Sequence, residues 1–480
     1  MVVIAIIGGL VAAYFLYAMW RVVYNMYFHP LAKFPGPWWA GATSYGEAYF
    51  DMVKGGRFFA EVEAMHARYG RYEGRRKSPL LTTVGPIVRV TPTELSIRDA
   101  EFYEHIYGGV IRRAPLLNFF SKQAVIRLEP FIWSRVTLLV DKLKHAQKTE
   151  TVINAIDAYG ALTTDVISYY AYGESFDYLG KDTNLEFKND FLHAISGLCF
   201  VSPLMLHFPL IADTMKRLPD WFLQATSPGI MCINNLRRWC ADNGKKALQE
   251  ARPEAKDRAQ GNTEKTLERM TDEGFIIIGA GLETTSRFLT NITCHLLLNP
   301  DIVSKLQAEL KVAMPAPDAC PPCSVLENLP YLSGVVNEGL RCETFLVTRF
   351  ARTIVEPLPY KDFVIPAGTS IGCAPYLQNN NAEVFPEPEK FRPERWIEAR
   401  ERGENLTKYL GTFVKGGRMC IGINLAYTEL YLTVAAIFRN FDMELVDSGL
   451  ENILTYRGYT FGFTKNLDFG IKVKITKVLA

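Results

Sequence analysis

Phe413-Val414-Lys415-Gly416-Gly417-Arg418-Met419-Cys420-Ile421-Gly422 is the stretch on which the reading of this chain turns. It runs directly into Ile423-Asn424-Leu425-Ala426-Tyr427-Thr428-Glu429-Leu430-Tyr431-Leu432-Thr433-Val434-Ala435-Ala436-Ile437-Phe438, which is apolar on nearly every face of a 3.6-residue repeat. A helix without a polar face is a buried one, so the sequence predicts a buried helix from Asn424 to about Phe438, with Cys420 at its N-terminus. The helix dipole and free backbone N–H groups there favour a thiolate over a thiol. Gly416, Gly417 and Gly422 keep the loop thin enough for a flat ligand to approach its backbone, and Arg418 adds a positive charge nearby. A lone Cys after a glycine turn is otherwise a buried structural residue. A thiolate held this way, with no second Cys or His beside it, suits one axial bond to a haem iron.

A second informative segment lies upstream. Thr271 to Leu298 reads as one long apolar helix, ended by Asn299-Pro300, with Gly279 and Gly281 at its centre. Each glycine costs about 1 kcal/mol relative to Ala in a helix interior, so something compensates: close approach by a ligand, or packing against another helix. Glu283 and Thr284 lie in the same apolar setting, where an acid and a hydroxyl can relay protons. Further on, Glu338 and Arg341 sit three apart on an apolar helix. Exposed, such a pair adds a few tenths of a kcal/mol. Buried, it needs more partners, and Phe391-Arg392-Pro393-Glu394-Arg395-Trp396 can supply one.

The chain has 480 residues, 48% apolar and 22% charged, which excludes a disordered or polytopic membrane protein. Lys plus Arg is 53 against 51 for Asp plus Glu, so no global field gathers nucleic acid or acidic ligands. The nine cysteines are scattered and do not form a disulfide framework; Cys320-Pro321-Pro322-Cys323 has no second pair and reads as loop cysteines rather than a zinc site. Residues 1–20 carry no charged side chain and are long enough to span a bilayer, with Tyr17, Trp20 and Tyr24 as interface aromatics and Arg21 on the basic, cytosolic side. Residues 21–40, with Pro30, Pro35 and Pro37, read as a stiff elbow. Residues 41–480 read as one domain, mainly α with a minor β part: Ile87 to Ile97 strand-like, about 120 to 345 mostly helical, a short β zone near Phe363, and a solvated loop from Glu250 to Lys265.

The spacing F-x-x-G-x-R-x-C-x-G, complete from Phe413 to Gly422, resembles the haem-binding signature of the cytochrome P-450 superfamily of haem-thiolate monooxygenases. Ala280-Gly281-Leu282-Glu283-Thr284-Thr285 is similar to its A-G-x-E-T-T element, and Glu338 to Arg341 to its E-x-x-R helix. The His29 to Pro37 elbow resembles that of fungal microsomal members, and the general run resembles the secondary-metabolism branch that includes trichodiene-oxygenase-like enzymes. The resemblance implies a cytochrome P-450 fold behind an N-terminal transmembrane anchor, and haem b ligated axially by Cys420. It implies that Phe413 packs near the sulfur, that Gly422 completes the cofactor-binding loop, and that Arg418, Arg352 and Arg113 serve the haem. Ala280 and Gly281 then border the dioxygen pocket, Thr284 contacts dioxygen and Glu283 helps deliver protons. Glu338, Arg341 and Arg395 form a structural network behind the loop.

The same resemblance implies a small apolar substrate, terpenoid or polyketide. It implies electrons from NADPH–cytochrome P-450 reductase, docking near Lys415 and Arg418, since no G-x-G-x-x-G nucleotide fingerprint precedes a helix here. The place implied is the endoplasmic reticulum membrane, single-pass, with a cytosolic catalytic domain. Two departures stand out. Arg71 to Gly85 reads as an insertion, and the segment from Tyr107 to Arg112 is short, with Gly109 where Trp or His is expected. The expectation is that one or both come from the gene model, a retained intron and a missed exon; a transcript encoding both as written refutes it and implies impaired substrate closure and haem retention. The residues leave two other functions open: a haem-thiolate isomerase or dehydratase, which needs no proton relay, and a degenerate haem-binding protein without activity.

Overall fold

The computed structural model describes residues 1–69, 86–108, 118–208, 210, 221, 228–250, 266–342 and 344–480. Its longer helices are α1 (Val2–Val23), α2 (Phe58–Tyr69), α3 (Lys122–Thr149), α4 (Ala155–Tyr172), α5 (Asp190–His207), α6 (Pro228–Glu250), α7 (Leu267–Leu298), α8 (Pro300–Ala313), α9 (Pro330–Arg341), α10 (Glu394–Glu401) and α11 (Ile423–Asn440). The strands are β1 (Ile87–Thr91), β2 (Glu94–Ile97), β3 (Ile153–Asn154), β4 (Arg352–Thr353), β5 (Leu358–Tyr360), β6 (Phe363–Ile365), β7 (Ser370–Gly372), β8 (Phe441–Leu445), β9 (Arg457–Gly458), β10 (Gly462–Phe463) and β11 (Lys472–Val478).

The core is organised by α7. Thr266 caps its start, accepting from the Arg269 N–H at 3.2 Å. Pro300, which cannot continue a helix and is pre-set to begin one, ends α7 and opens α8. Between these ends α7 packs against α4, α5, α6, α8, α9 and α11. From Leu282 to Leu296 every residue except Thr284 is buried. The last helix, α11, is buried from Thr428 to Asn440, as its all-round apolarity predicts.

The minor β part gathers on the other side, around a second cluster that includes Leu31, Phe34, Val88, Leu95 and Ile371. Its sheet has the order β1-β2-β7-β4, with β2 and β7 parallel and the other pairs antiparallel. The single strand expected over Ile87 to Ile97 is two strands: Pro92-Thr93 turn the chain, and Ile87 pairs with Ile97. Proline has no N–H to give a ladder, so the turn falls there. A three-stranded sheet, β3-β11-β8, carries the C-terminal end.

The N-terminal helix outruns the expected span of residues 1–20. α1 continues to Val23 and a π-helical turn carries it to Phe28, because no helix breaker occurs before Pro30. Leu10, Phe15 and Leu16 are 66%, 65% and 68% exposed, so nothing among the described residues covers this apolar surface. Its 22 residues reach roughly 33 Å at helical rise, enough for a bilayer. The elbow that follows is docked: the Arg89 N–H donates to the Pro35 carbonyl at 2.7 Å and Asn25 Nδ2 to the Ala42 carbonyl at 3.1 Å.

Candidate active site

The Cys420 loop is shaped by its glycines. Gly416 has φ +70°, and a Cβ there would lie 1.5 Å from the Tyr107 carbonyl oxygen, so no other residue fits. The Met419 N–H closes a turn onto the Gly416 carbonyl at 3.0 Å, and the Cys420 N–H returns to the Phe413 carbonyl at 2.9 Å. Gly422 then caps α11. Phe413 and Leu425 are buried, while Arg418, Met419 and Cys420 between them are exposed. The sulfur thus stands at an opening in an otherwise closed part of the core.

Before a metal binds, the surrounding protein and the helix end act on the Cys420 proton in opposite senses. Burial pushes the Cys420 thiol up, and the hydrogen bond from the Gly422 amide only partly opposes it. A metal must displace the proton to bind, as metal–thiolate formation generally requires. The donor set nevertheless fits haem: one accessible sulfur, one backbone amide directed at it, and a thin loop. Arg418 and Arg352 add positive charge, and they line one cavity of about 380 Å³ with His105 and Tyr107. Arg352 is half turned away, donating to the Phe350 carbonyl at 2.7 Å, with its guanidinium 5.2 Å from the Tyr107 ring centre.

On α7, Ile276, Ala280 and Thr284 recur every four residues, and all three retain exposure in the middle of the domain. This spacing puts them on one helix face, which is the open one. The Thr284 hydroxyl donates to the Ala280 carbonyl at 2.9 Å, so its lone pairs remain to accept. The glycines have a different explanation from the expected ligand approach. A Cβ on Gly281 would fall 2.6 Å from Ile167 Cγ1, and one on Gly279 would fall 3.5 Å from Ile195 Cδ1. Close packing of α4 is what requires Gly281, while a methyl at Gly279 would make only an ordinary contact with α5.

Glu283 does not share the Thr284 face, since successive residues on a helix point apart. Its carboxylate is fully buried, 2.8 Å from the Arg287 guanidinium, and it accepts from Ser196 Oγ at 2.6 Å. Arg287 also donates to the Gly462 carbonyl at 2.7 Å and lies 4.5 Å from the Phe469 ring centre. Arg287 and Ser196 went unnoticed in the sequence. The i, i+4 spacing from Glu283 signals Arg287; nothing local signals Ser196. Glu429 on α11 was missed too. Burial drives its carboxyl well above the usual carboxylate range, with only a hydrogen bond to Thr285 of α7 opposing it.

Glu338, Arg341 and Arg395 meet. Arg341 grips Glu338 with two bonds of 2.9 and 2.8 Å, and Arg395 Nε reaches the same carboxylate at 3.0 Å. Trp396 Nε1 and the Arg392 backbone N–H add bonds of 2.9 Å each. Burial pushes the Glu338 carboxyl up, but the two arginines and the backbone donor outweigh it and hold it below its ordinary range. Arg341 satisfies its remaining donors on the carbonyls of Asn379, Pro388 and Lys390.

Lys415, expected near a docking face, is tied to Glu104 at 3.1 Å. Cys320 is an exposed free thiol and Cys323 a buried one. Arg113, Gly109, the insertion from Arg71 to Gly85 and the polar stretch 251–265 lie outside the described residues.

A mainly helical domain with a small β lobe, organised on a long helix and closed by a cysteine loop, defines a class. The cytochrome P-450 family profile matches residues 110–465. The chain belongs to that family, whose members are oxygen-incorporating oxidoreductases carrying haem b on a cysteine thiolate. It is 36% identical to conidiogenone synthase PchP450 of Penicillium rubens, covering 97% of this chain and 98% of that one. It is 34% identical to the cytochrome P-450 monooxygenase TRI4 of Fusarium sporotrichioides, covering 98% and 97%. The first alignment runs over 507 positions although this chain has 480 residues, so at least 27 of those positions have no counterpart here.

Proposed function

We propose that this protein is a monooxygenase that hydroxylates or epoxidises a small apolar intermediate of fungal secondary metabolism, terpenoid or polyketide. α1 anchors it in the endoplasmic reticulum membrane with the domain in the cytosol, and NADPH–cytochrome P-450 reductase supplies electrons. The observation that carries this reading is the single open sulfur of Cys420 before the buried helix α11.

Haem, when bound, supplies the oxygen activation, and the thiolate pushes electron density toward O–O cleavage. The chain does the rest. Cys420 would hold the iron through its sulfur; Arg418, Arg352 and Arg113 would serve the carboxylates of the haem; Gly422 starts the supporting helix and Phe413 would pack beside the sulfur. The open face of α7, with Ala280 and Thr284, borders the reacting atoms, and the Thr284 hydroxyl, its own proton on the Ala280 carbonyl, accepts a hydrogen bond there. Glu283, paired with Arg287, orders the helix turn that presents Thr284 and feeds protons only after that pair loosens. The network of Glu338, Arg341 and Arg395 holds the Cys420 loop in place. Fungal secondary-metabolism relatives favour the pathway class.

The test is a carbon monoxide difference spectrum of reduced protein, followed by reductase-dependent NADPH consumption. Cys420→Ser abolishes the haem-thiolate band; an unchanged band would falsify the reading. A normal band with product formed in the absence of reductase assigns an isomerase or dehydratase instead.

A further inference from the structure

A cavity of about 510 Å³, within the range of small-molecule sites, lies between the C-terminal half of α5 and the start of α2. Its apolar walls include Phe58, Phe59, Leu206, Val347, Tyr376 and Tyr459, and its polar end is Glu47, Asp51 and Arg349. Arg349 lies 2.8 Å from Glu47 and 2.6 Å from Glu94. One guanidinium is therefore shared by two carboxylates, and little of its charge is left for a ligand.

Asp51 is the third carboxylate. It is 8% exposed, and His207 at the end of α5 lies directly against it, with Nε2 3.5 Å from Asp51 Oδ2. The other charges acting on it are Glu47 and Arg349. Arg57, on the following turn, is directed at the Tyr456 carbonyl and ring instead. Burial, reinforced by Glu47, raises the Asp51 carboxyl to about 7, with Arg349 opposing. Among the described residues, Glu47, Asp51 and Arg349 are the charged groups lining this end of the apolar chamber, with Glu94 behind Arg349 and His207 against Asp51. Above about pH 7, where Asp51 is ionised, an anionic group entering there meets repulsion in a partly dehydrated setting, where charge interactions are stronger than in water. A hydroxyl meets acceptors.

We propose that Glu47 and Asp51 make this cavity select neutral apolar molecules bearing a hydrogen-bond donor, hydroxylated ones above all, and reject carboxylates of the same shape. This deepens the monooxygenase reading by naming its substrate class, and rests on that reading only in calling the bound molecule a substrate. Preference for a hydroxylated ligand means that an earlier step installs the hydroxyl, by oxygen insertion, hydration, hydrolysis or carbonyl reduction.

Isothermal titration of the full chain, haem-loaded and in lipid nanodiscs, tests this with dodecanol and dodecanoate at mildly alkaline pH. Partition into empty discs is subtracted. Dodecanol is expected to bind roughly tenfold tighter than dodecanoate. Asp51→Asn narrows the ratio to about threefold, through dodecanoate alone, and Asp51→Glu keeps it. Should Asp51→Asn fail to fold, Glu47→Gln serves, because Arg349 keeps Glu94, and the same narrowing is expected. Equal affinities in the unaltered chain, no binding of either probe, or a ratio unmoved by the folded variants each overturn the proposal. Absence of the carbon monoxide band overturns the monooxygenase reading instead and leaves the binding ratio measurable.

Discussion

Two buried charge clusters in this molecule look alike in composition and differ in what they are built for. Around Glu338, two guanidiniums, an indole N–H and a backbone amide converge on one carboxylate, and both of its oxygens are satisfied. Around Arg349 the ratio is reversed: Glu47, Glu94 and Asp51 face one guanidinium, and Asp51 is left with an imidazole at 3.5 Å. The first arrangement is closed and holds neighbouring chain in place. The second borders a cavity and keeps spare hydrogen-bond capacity there. A saturated buried network stabilises a scaffold, whereas an unsaturated one holds stability in reserve for a ligand.

The largest effect should come from breaking the first cluster. Glu338→Ala leaves two arginines buried without a counter-charge, and a loss of about 3–5 kcal/mol is expected, read as lost haem retention and a lowered melting temperature. Gly416→Ala comes next: its methyl meets the Tyr107 carbonyl at positive φ, and a cost of about 1–3 kcal/mol is expected by thermal melting. Gly281→Ala should cost about 1–3 kcal/mol through Ile167, partly restored by Ile167→Val in the double variant. A Gly281 variant that is fully stable but loses substrate binding would restore the ligand-approach explanation.

The two clusters should also respond oppositely to pH. Glu338 has a lowered folded pKa, so its contribution is complete above the unfolded value of about 4.3 and is lost as pH falls through the folded one. Asp51 is raised to about 7, so stability declines as pH rises from about 3.9 toward that value, the folded chain holding a proton that the unfolded chain has released. Asp51→Asn should therefore raise the melting temperature at alkaline pH and leave it unchanged near the unfolded value. A uniform shift at all pH values would remove the contrast. At the small end, Lys122→Ala breaks an exposed pair with Glu327 and should move stability by less than about 1 kcal/mol in a melt.

The elements legible in the sequence are those whose constraint is local. The Cys420 loop, the uninterrupted apolarity of α7 and α11, and the Glu338–Arg341 spacing each announce themselves within a dozen residues. What could not be read there depends on partners far along the chain. Gly281 exists for Ile167, and the cavity cluster assembles Glu47, Asp51, Glu94, His207 and Arg349 from separate elements. Thr284 and Glu283 look like a unit in sequence, but their one-residue step sends one to the open face and the other to Arg287.

The passage from α1 into the domain has a mechanical consequence. The helix continues through the π-helical turn to Phe28, Asn25 bonds the Ala42 carbonyl, and Pro35 is stitched to β1. With α1 in a bilayer, the globular part is mounted on a mast rather than tethered by a leash. A tilt of the mast would then be passed to the domain through these hydrogen bonds.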